Sequence, residues 1–192
     1  MEQTSSRPGT RGFTLMELII VMVLIGLIVT MAAPRIDFLK FRVDSAMTGV
    51  GTTLLAVERQ AITQQHDIII RFDVANNAIR IHEDRNNNGL QDVGERVRGK
   101  PLGEAIVFGR GGAAARPMGP GPVTFTKIVI GMPALVFHRD GSASEEAGFY
   151  LTSARAAAGT TRPKDARAIE VEAATGRASW YRYNGTQWVR AF

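Results

Sequence analysis

One carboxylate, Glu17, stands near the start of the apolar run "RGFTLMELIIVMVLIGLIVTMAAPR", residues 11–35. Placing an ionised side chain in hydrocarbon costs on the order of 2.5–3.5 kcal/mol even on insertion scales. An acid there asks for a cationic partner, and that is the first chemistry the sequence offers. The second is "DRNNNGLQDVGE", Asp84 to Glu95, which has the spacing of a calcium loop. Asp84, Asn86 and Asn88 would offer side-chain oxygens, Leu90 a backbone carbonyl, Asp92 a direct or water-bridged contact and Glu95 two oxygens, with Gly89 making the turn. Strand-like residues precede this loop and no amphipathic helix clearly follows, unlike an EF-hand. The competing reading is a long hairpin whose Asn and Asp side chains bond their own backbone. Three acids alone (Asp84, Asp92, Glu95) would face an ion, so binding would be weak.

Catalytic constellations are poor by comparison. His138, Asp140 and Ser142 are close in sequence, but they occupy one strand end and its turn, with no nucleophile elbow. His66, His82 and His138 show no zinc spacing, and Glu145-Glu146 reads as a solvated turn. The stretch "GRGGAAARPMGPGP", residues 109–122, lacks the Gly-Lys-Ser/Thr ending of a phosphate loop; a mobile surface loop is the plain expectation and a partner-contacting loop the sharper one. With no cysteine, disulfides and thiolate metal sites are excluded. No enzyme is expected, and no cofactor is required; calcium is the one candidate ligand. Arg155, Arg162, Lys164, Arg167, Arg177, Arg182 and Arg190 outnumber the acids Asp165, Glu170 and Glu172 toward the C-terminus, in a chain of net charge +5. A solvated basic face is the plain explanation, and phosphate contact the sharper one.

The elements that must hold these residues follow from periodicity. Phe13 to Ala33 is 21 residues long with the single charge of Glu17, and as a helix it would span about 31 Å, the hydrocarbon thickness of a bilayer. Arg7 and Arg11 on its near side favour a cytoplasmic N-terminus. Beyond Pro34, where a helix kinks, Ile36, Leu39, Val43, Met47, Val50, Leu54, Val57 and Ala61 recur at helical spacing. The reading is a helix bent at Pro34, from about Phe13 to Gln64, whose second half buries one face. After His66 the period becomes two: "DIIIRFDV" and "AIRIHE" flank Asn76-Asn77 as a hairpin. Further strands are expected at 105–108, 123–130, 135–139, 149–152, 168–173, 178–183 and 187–190, with turns at Asp140-Gly141, Thr175-Gly176 and Asn184-Gly185. The fold class is α+β, a long N-terminal helix packed on an antiparallel head.

Arg11-Gly12-Phe13-Thr14-Leu15-Met16-Glu17-Leu18 resembles the processing site of type IV prepilins and type II secretion pseudopilins. The resemblance implies that a prepilin peptidase cuts after Gly12, that the new terminus Phe13 is N-methylated, and that Glu17 is the fifth residue of the mature chain. The Phe13 ammonium of one subunit would then pair with Glu17 of a neighbour, two charges that are each costly in lipid compensating one another. "ALVFHRDGSAS", "FYL" and "AIEVEAATGRASWYRY" resemble, more loosely, the C-terminal part of H-type minor pseudopilins and FimT-like minor pilins, which implies a head of two sheets against the stem. The implied organisation is a leader (1–12), a membrane and filament-core helix (13–33), a helix continuing into the head (34–65) and a β-rich periplasmic head (66–192). The implied function is that of a minor pseudopilin of a type II secretion system: a single-pass protein of the bacterial inner membrane that joins other pseudopilins in a periplasmic filament and meets secreted cargo. The alternatives are a FimT-like minor pilin and a membrane-anchored calcium-binding module. In the pilin, Arg162, Lys164, Arg167, Arg177, Arg182 and Arg190 would contact DNA and Trp180, Tyr181, Tyr183 and Trp188 would stack on bases or pair across a hairpin.

Overall fold

The computed structural model describes residues 12–32, 38–159 and 162–191. Two compact units divide the chain, one ending at Asp37 and one beginning at Phe38. The first holds helix α1 (Leu15–Ala32), 18 residues. Its side chains from Leu15 to Met31 are exposed, with Glu17 the one ionisable group among them. At 1.5 Å per residue α1 rises about 27 Å, short of a hydrocarbon layer of about 30 Å. None of the described helices is long and apolar enough to cross a membrane. Pro34, the expected kink, lies outside the described residues, as does the leader up to residue 11.

The second unit is built around helix α2 (Phe38–Gln64). Val43, Ala46, Met47, Val50, Gly51, Leu54, Val57 and Ala61 are its buried residues; all but Ala46 and Gly51 belong to the expected stripe, of which Leu39 is half-buried and Ile36 lies outside the described residues. Gln65, with φ 57°, leaves the helix in the left-handed region and hands the chain to the first strand. Ten strands follow: β1 (Asp67–Asp73), β2 (Ala78–Asp84), β3 (Val97–Pro101), β4 (Ile106–Phe108), β5 (Ile128–Val129), β6 (Met132–Phe137), β7 (Ala147–Ser153), β8 (Arg167–Val171), β9 (Ala178–Tyr183) and β10 (Trp188–Arg190). A short helix α3 (Ala154–Ala157) follows β7. The strands form two five-stranded sheets, ordered β3-β2-β1-β6-β5 and β10-β9-β8-β7-β4. Neighbours in each sheet are antiparallel, as the short connections require.

One face of each sheet and the apolar face of α2 share a single core. Period-two alternation decides who enters it: Ile68, Ile70 and Phe72 of β1, and Phe149 and Leu151 of β7, are all fully buried within it. Phe72 joins the two sheets, stacked on Phe125 at 5.0 Å, tilted on Phe149 at 4.9 Å and edge-on to Phe108 at 6.0 Å.

Three expectations need correction. The strand expected over 123–130 is reduced to an isolated antiparallel bridge between Val123 and Phe149 and to Ile128–Val129. Between them, Glu145 accepts hydrogen bonds from the backbone N–H of Thr126 and Lys127, so those two groups are not free for a ladder. Strand β3 was not foreseen: "VRGKP" is an edge strand with little apolar content. Nor is the 109–122 segment a loose loop. It lies over the outer face of the second sheet, where Tyr150 Oη donates to the Gly119 carbonyl and accepts from Arg116 N. Trp188 Nε1 donates to the Ala114 carbonyl.

Candidate assembly and binding sites

The N-terminal site is small and accessible. Gly12 has open space around its Cα, and Phe13 is 81% exposed, just ahead of the first turn of α1. A peptidase needs an extended, unencumbered backbone, and the bond between these residues precedes the helical ladder. Thr14 begins that ladder: its carbonyl accepts from Leu18 N, and its Oγ1 accepts from Glu17 N at 3.2 Å. Thr14-Leu15-Met16-Glu17 thus has the spacing of a capping box, and half of that box is formed. Sequence reasoning passed over this role for Glu17, although the Thr-x-x-Glu pattern was there to be read. The acid also sits in the first turn, where the helix dipole favours negative charge. Helix start and acid position are therefore one local feature, and Glu17 is exposed.

The residues expected to hold calcium do come together, in the connection between β2 and β3. Asp84 is buried, and its two oxygens accept from Asn88 N and Gly89 N at 3.1 and 2.7 Å. Asn86 Oδ1 accepts from Asn88 N, and Asn88 Oδ1 from Leu90 N. Asp92 Oδ2 accepts from the amides of both Asn86 and Asn88. Glu95 accepts from Arg85 N and Asp92 N and faces His82 Nε2 at 2.7 Å, the imidazole being fully buried. The oxygens are thus bonded by the loop's own donors, as the hairpin reading requires. Burial alone would raise the Glu95 carboxyl, but Asp92 N, His82 and Arg85 N outweigh it and hold the group below the ordinary carboxylate range. Among the described residues, no group of three or more His, Asp or Glu side chains is placed to hold a metal ion.

The six basic residues expected on one face are not all at the surface. Arg167 belongs to the interior: it is fully buried, its Nε donates to Asp44 of α2 at 2.6 Å, and its Nη1 donates to the carbonyls of Lys164 and Ala166. Buried in this way it cannot touch a nucleic acid, contrary to the expectation. Arg162 is paired with buried Asp165 at 3.3 Å, and Arg177 lines a cavity with Glu146, Glu170 and Glu172. Arg182 lies on β9 and Arg190 on β10. The aromatic residues have structural partners as well. Trp188 and Tyr183 face each other across β9 and β10, edge to face at 5.2 Å. Tyr181 lies under the Arg116 guanidinium, 3.5 Å from the ring centre, and Arg116 in turn forks onto both oxygens of Glu170.

His138, Asp140 and Ser142 do not form a relay. Ser142 Oγ donates to Asp140, whereas His138 Nδ1 faces Asp67 across 2.8 Å. Base and hydroxyl belong to separate pairs.

Three comparisons with known proteins bear on these sites. No curated protein sequence matches the chain. Among the solved structures similar to it are two of the minor pseudopilin EpsH from the type 2 secretion system of Vibrio cholerae. One is 14% identical with a TM-score of 0.45, covering 73% of this chain and 97% of that one. The other is 14% identical with a TM-score of 0.46, covering 77% and 99%. Residues 7–33, the stretch that contains Gly12, Phe13 and Glu17, match the family described as the prokaryotic N-terminal methylation motif. The N-terminus of this chain therefore carries a prokaryotic N-terminal methylation motif.

Proposed function

We propose that this chain is an H-type minor pseudopilin: a prepilin peptidase removes residues 1–12, the Phe13 amine is methylated, and the head stands in the periplasm on a helix first held in the inner membrane. The observation that carries this reading is the coincidence, within residues 7–33, of the methylation motif with a helix whose side chains from Leu15 to Met31 are exposed and, apart from Glu17 and Thr30, apolar. Such a surface has no cover within its own unit, and neighbouring helices or lipid would supply it. The new ammonium at Phe13 neutralises Glu17 of an adjacent subunit, which lowers the cost of both charges in hydrocarbon. The head acts through its surfaces and carries out no chemistry. Its partners in this reading are the other pseudopilins of a type II secretion system, with secreted cargo at the exposed end.

The test is incorporation. Because glutamine serves the third position of a capping box as glutamate does, Glu17→Gln keeps the helix start and removes only the charge. The reading expects Glu17→Gln to insert in the inner membrane like the wild type and to be depleted from sheared or cross-linked pseudopili. Incorporation at the wild-type level would count against charge pairing.

A further inference from the structure

The first turn of α2 carries a surface that the core does not use. Phe38 and Phe41 are 65% and 67% exposed, and at a spacing of three they lie on one side of the helix. Along α2 the exposed positions then change character. Ser45, Thr48 and Thr52 follow, all exposed and all hydroxyl-bearing. Phenyl rings therefore give way to polar groups within about one turn. On the other side in sequence, Phe38 comes five residues after the apolar run that ends at Ala33. Lys40 and Arg42 are interleaved with the two rings. Arg42 also reaches Glu104 at 3.2 Å, an exposed pair that phosphate oxygens can replace.

An aromatic pair with interleaved lysine and arginine, placed between an apolar segment and a polar surface, has the composition of a bilayer boundary. Rings favour the level between headgroups and acyl chains, and long basic side chains extend from there to the phosphates. We infer that residues 38–42 form a lipid-binding collar, with Phe38 and Phe41 seated at the headgroup boundary of an anionic bilayer and Lys40 and Arg42 directed to its phosphates. This rests on the proposed function in one respect, that residues 13–33 occupy the membrane before assembly. It adds a site on the head side and a consequence for function: the collar fixes how far the head stands from the bilayer and must leave the lipid when the subunit enters a filament.

The chain has no cysteine, so a single introduced cysteine is a unique attachment point. Environment-sensitive fluorophores are placed singly on Leu24→Cys, Phe38→Cys, Phe41→Cys and Thr52→Cys. Each full-length variant is reconstituted in phosphatidylglycerol–phosphatidylcholine vesicles at less than one chain per vesicle, which removes neighbouring copies. Nitroxide lipids then quench from the headgroup or from deep in the acyl chain. The collar predicts strong quenching at 38 and 41 by the headgroup nitroxide, several-fold above that at 52, and deep quenching at 24. Adding Phe41→Ser to the Phe38→Cys chain shifts that probe toward water. Deep quenching at 24 with water-like probes at 38 and 41 overturns the collar and leaves the membrane reading standing. Loss of quenching at 24 overturns both. Shielding at 38 and 41 that appears only at high protein density assigns the rings to a second copy and also overturns the collar.

Discussion

Trp180 of β9 lies across the backbone of α2 at Gly51, so close that a Cβ there would fall 2.5 Å from the indole Cε2. A glycine that weakens the helix locally is thus what lets the second sheet seat against it. Exchanging glycine for alanine inside a helix ordinarily gains up to about 1 kcal/mol. At this position overpacking wins, and Gly51→Ala is expected to lose about 1–3 kcal/mol. The measure is a chemical denaturation curve of the protein in detergent, and a Trp180→Ala background should abolish most of the loss.

Asp44 holds the fully buried guanidinium of Arg167, joining α2 to β8. Removing one partner of such a pair strands the other charge in the interior, at a cost of about 3–5 kcal/mol for fully buried pairs. Because Asp44 is itself partly open to water, with 36% of its side chain exposed, Asp44→Ala should fall near the lower end, about 3 kcal/mol. Arg167→Met, which removes the buried charge together with its need for a partner, should cost less than Asp44→Ala when both are measured by chemical denaturation.

Tyr150 fastens the 109–122 segment through two hydrogen bonds of its hydroxyl. Tyr150→Phe keeps the ring and leaves Arg116 N and the Gly119 carbonyl without that partner. A loss of about 1–3 kcal/mol is expected for such orphaned groups. Hydrogen exchange should locate the effect, with faster exchange in 109–122 and little change in β1 and β2.

Acid should loosen the 84–95 loop. Folding depresses the Glu95 carboxyl, so its contribution is fully present above the unfolded value of about 4.3 and is lost as pH falls through the folded value. Glu95→Gln is expected to lower stability at neutral pH and to flatten the decline below about pH 4.3. Part of the slope will remain from Asp73, held low by the Asn76 side chain and by Arg80. Melting temperatures of both proteins across the acid range supply the comparison.

How far the sequence could be read depended on whether a residue's role was local. The α2 stripe from Val43 to Ala61 and the Asn76-Asn77 hairpin were legible because periodicity and turn chemistry are properties of neighbours in sequence. Arg167 was misplaced because its partner, Asp44, is 123 residues away, and no local pattern says that an arginine in "DARAIE" turns inward. Residues 109–122 look unstructured by composition, and their order comes from Tyr150, Trp188 and Glu170, all beyond the segment itself. At the N-terminus the positions of Gly12, Phe13 and Glu17 were read from one motif. What the motif concealed was the cap: Thr14 and Glu17 start α1 by local hydrogen bonding, a role independent of any neighbour.

The account depends on the amine that cleavage would create at Phe13, and intact-mass and N-terminal peptide spectrometry tests it most directly. The chain is purified from membranes of cells that hold an active prepilin peptidase. The account predicts a protein that begins at Phe13 and carries one methyl group on its amine, with Gly12→Ala retaining the leader. A wild-type chain that keeps residues 1–12 and is unmethylated in those cells would contradict it.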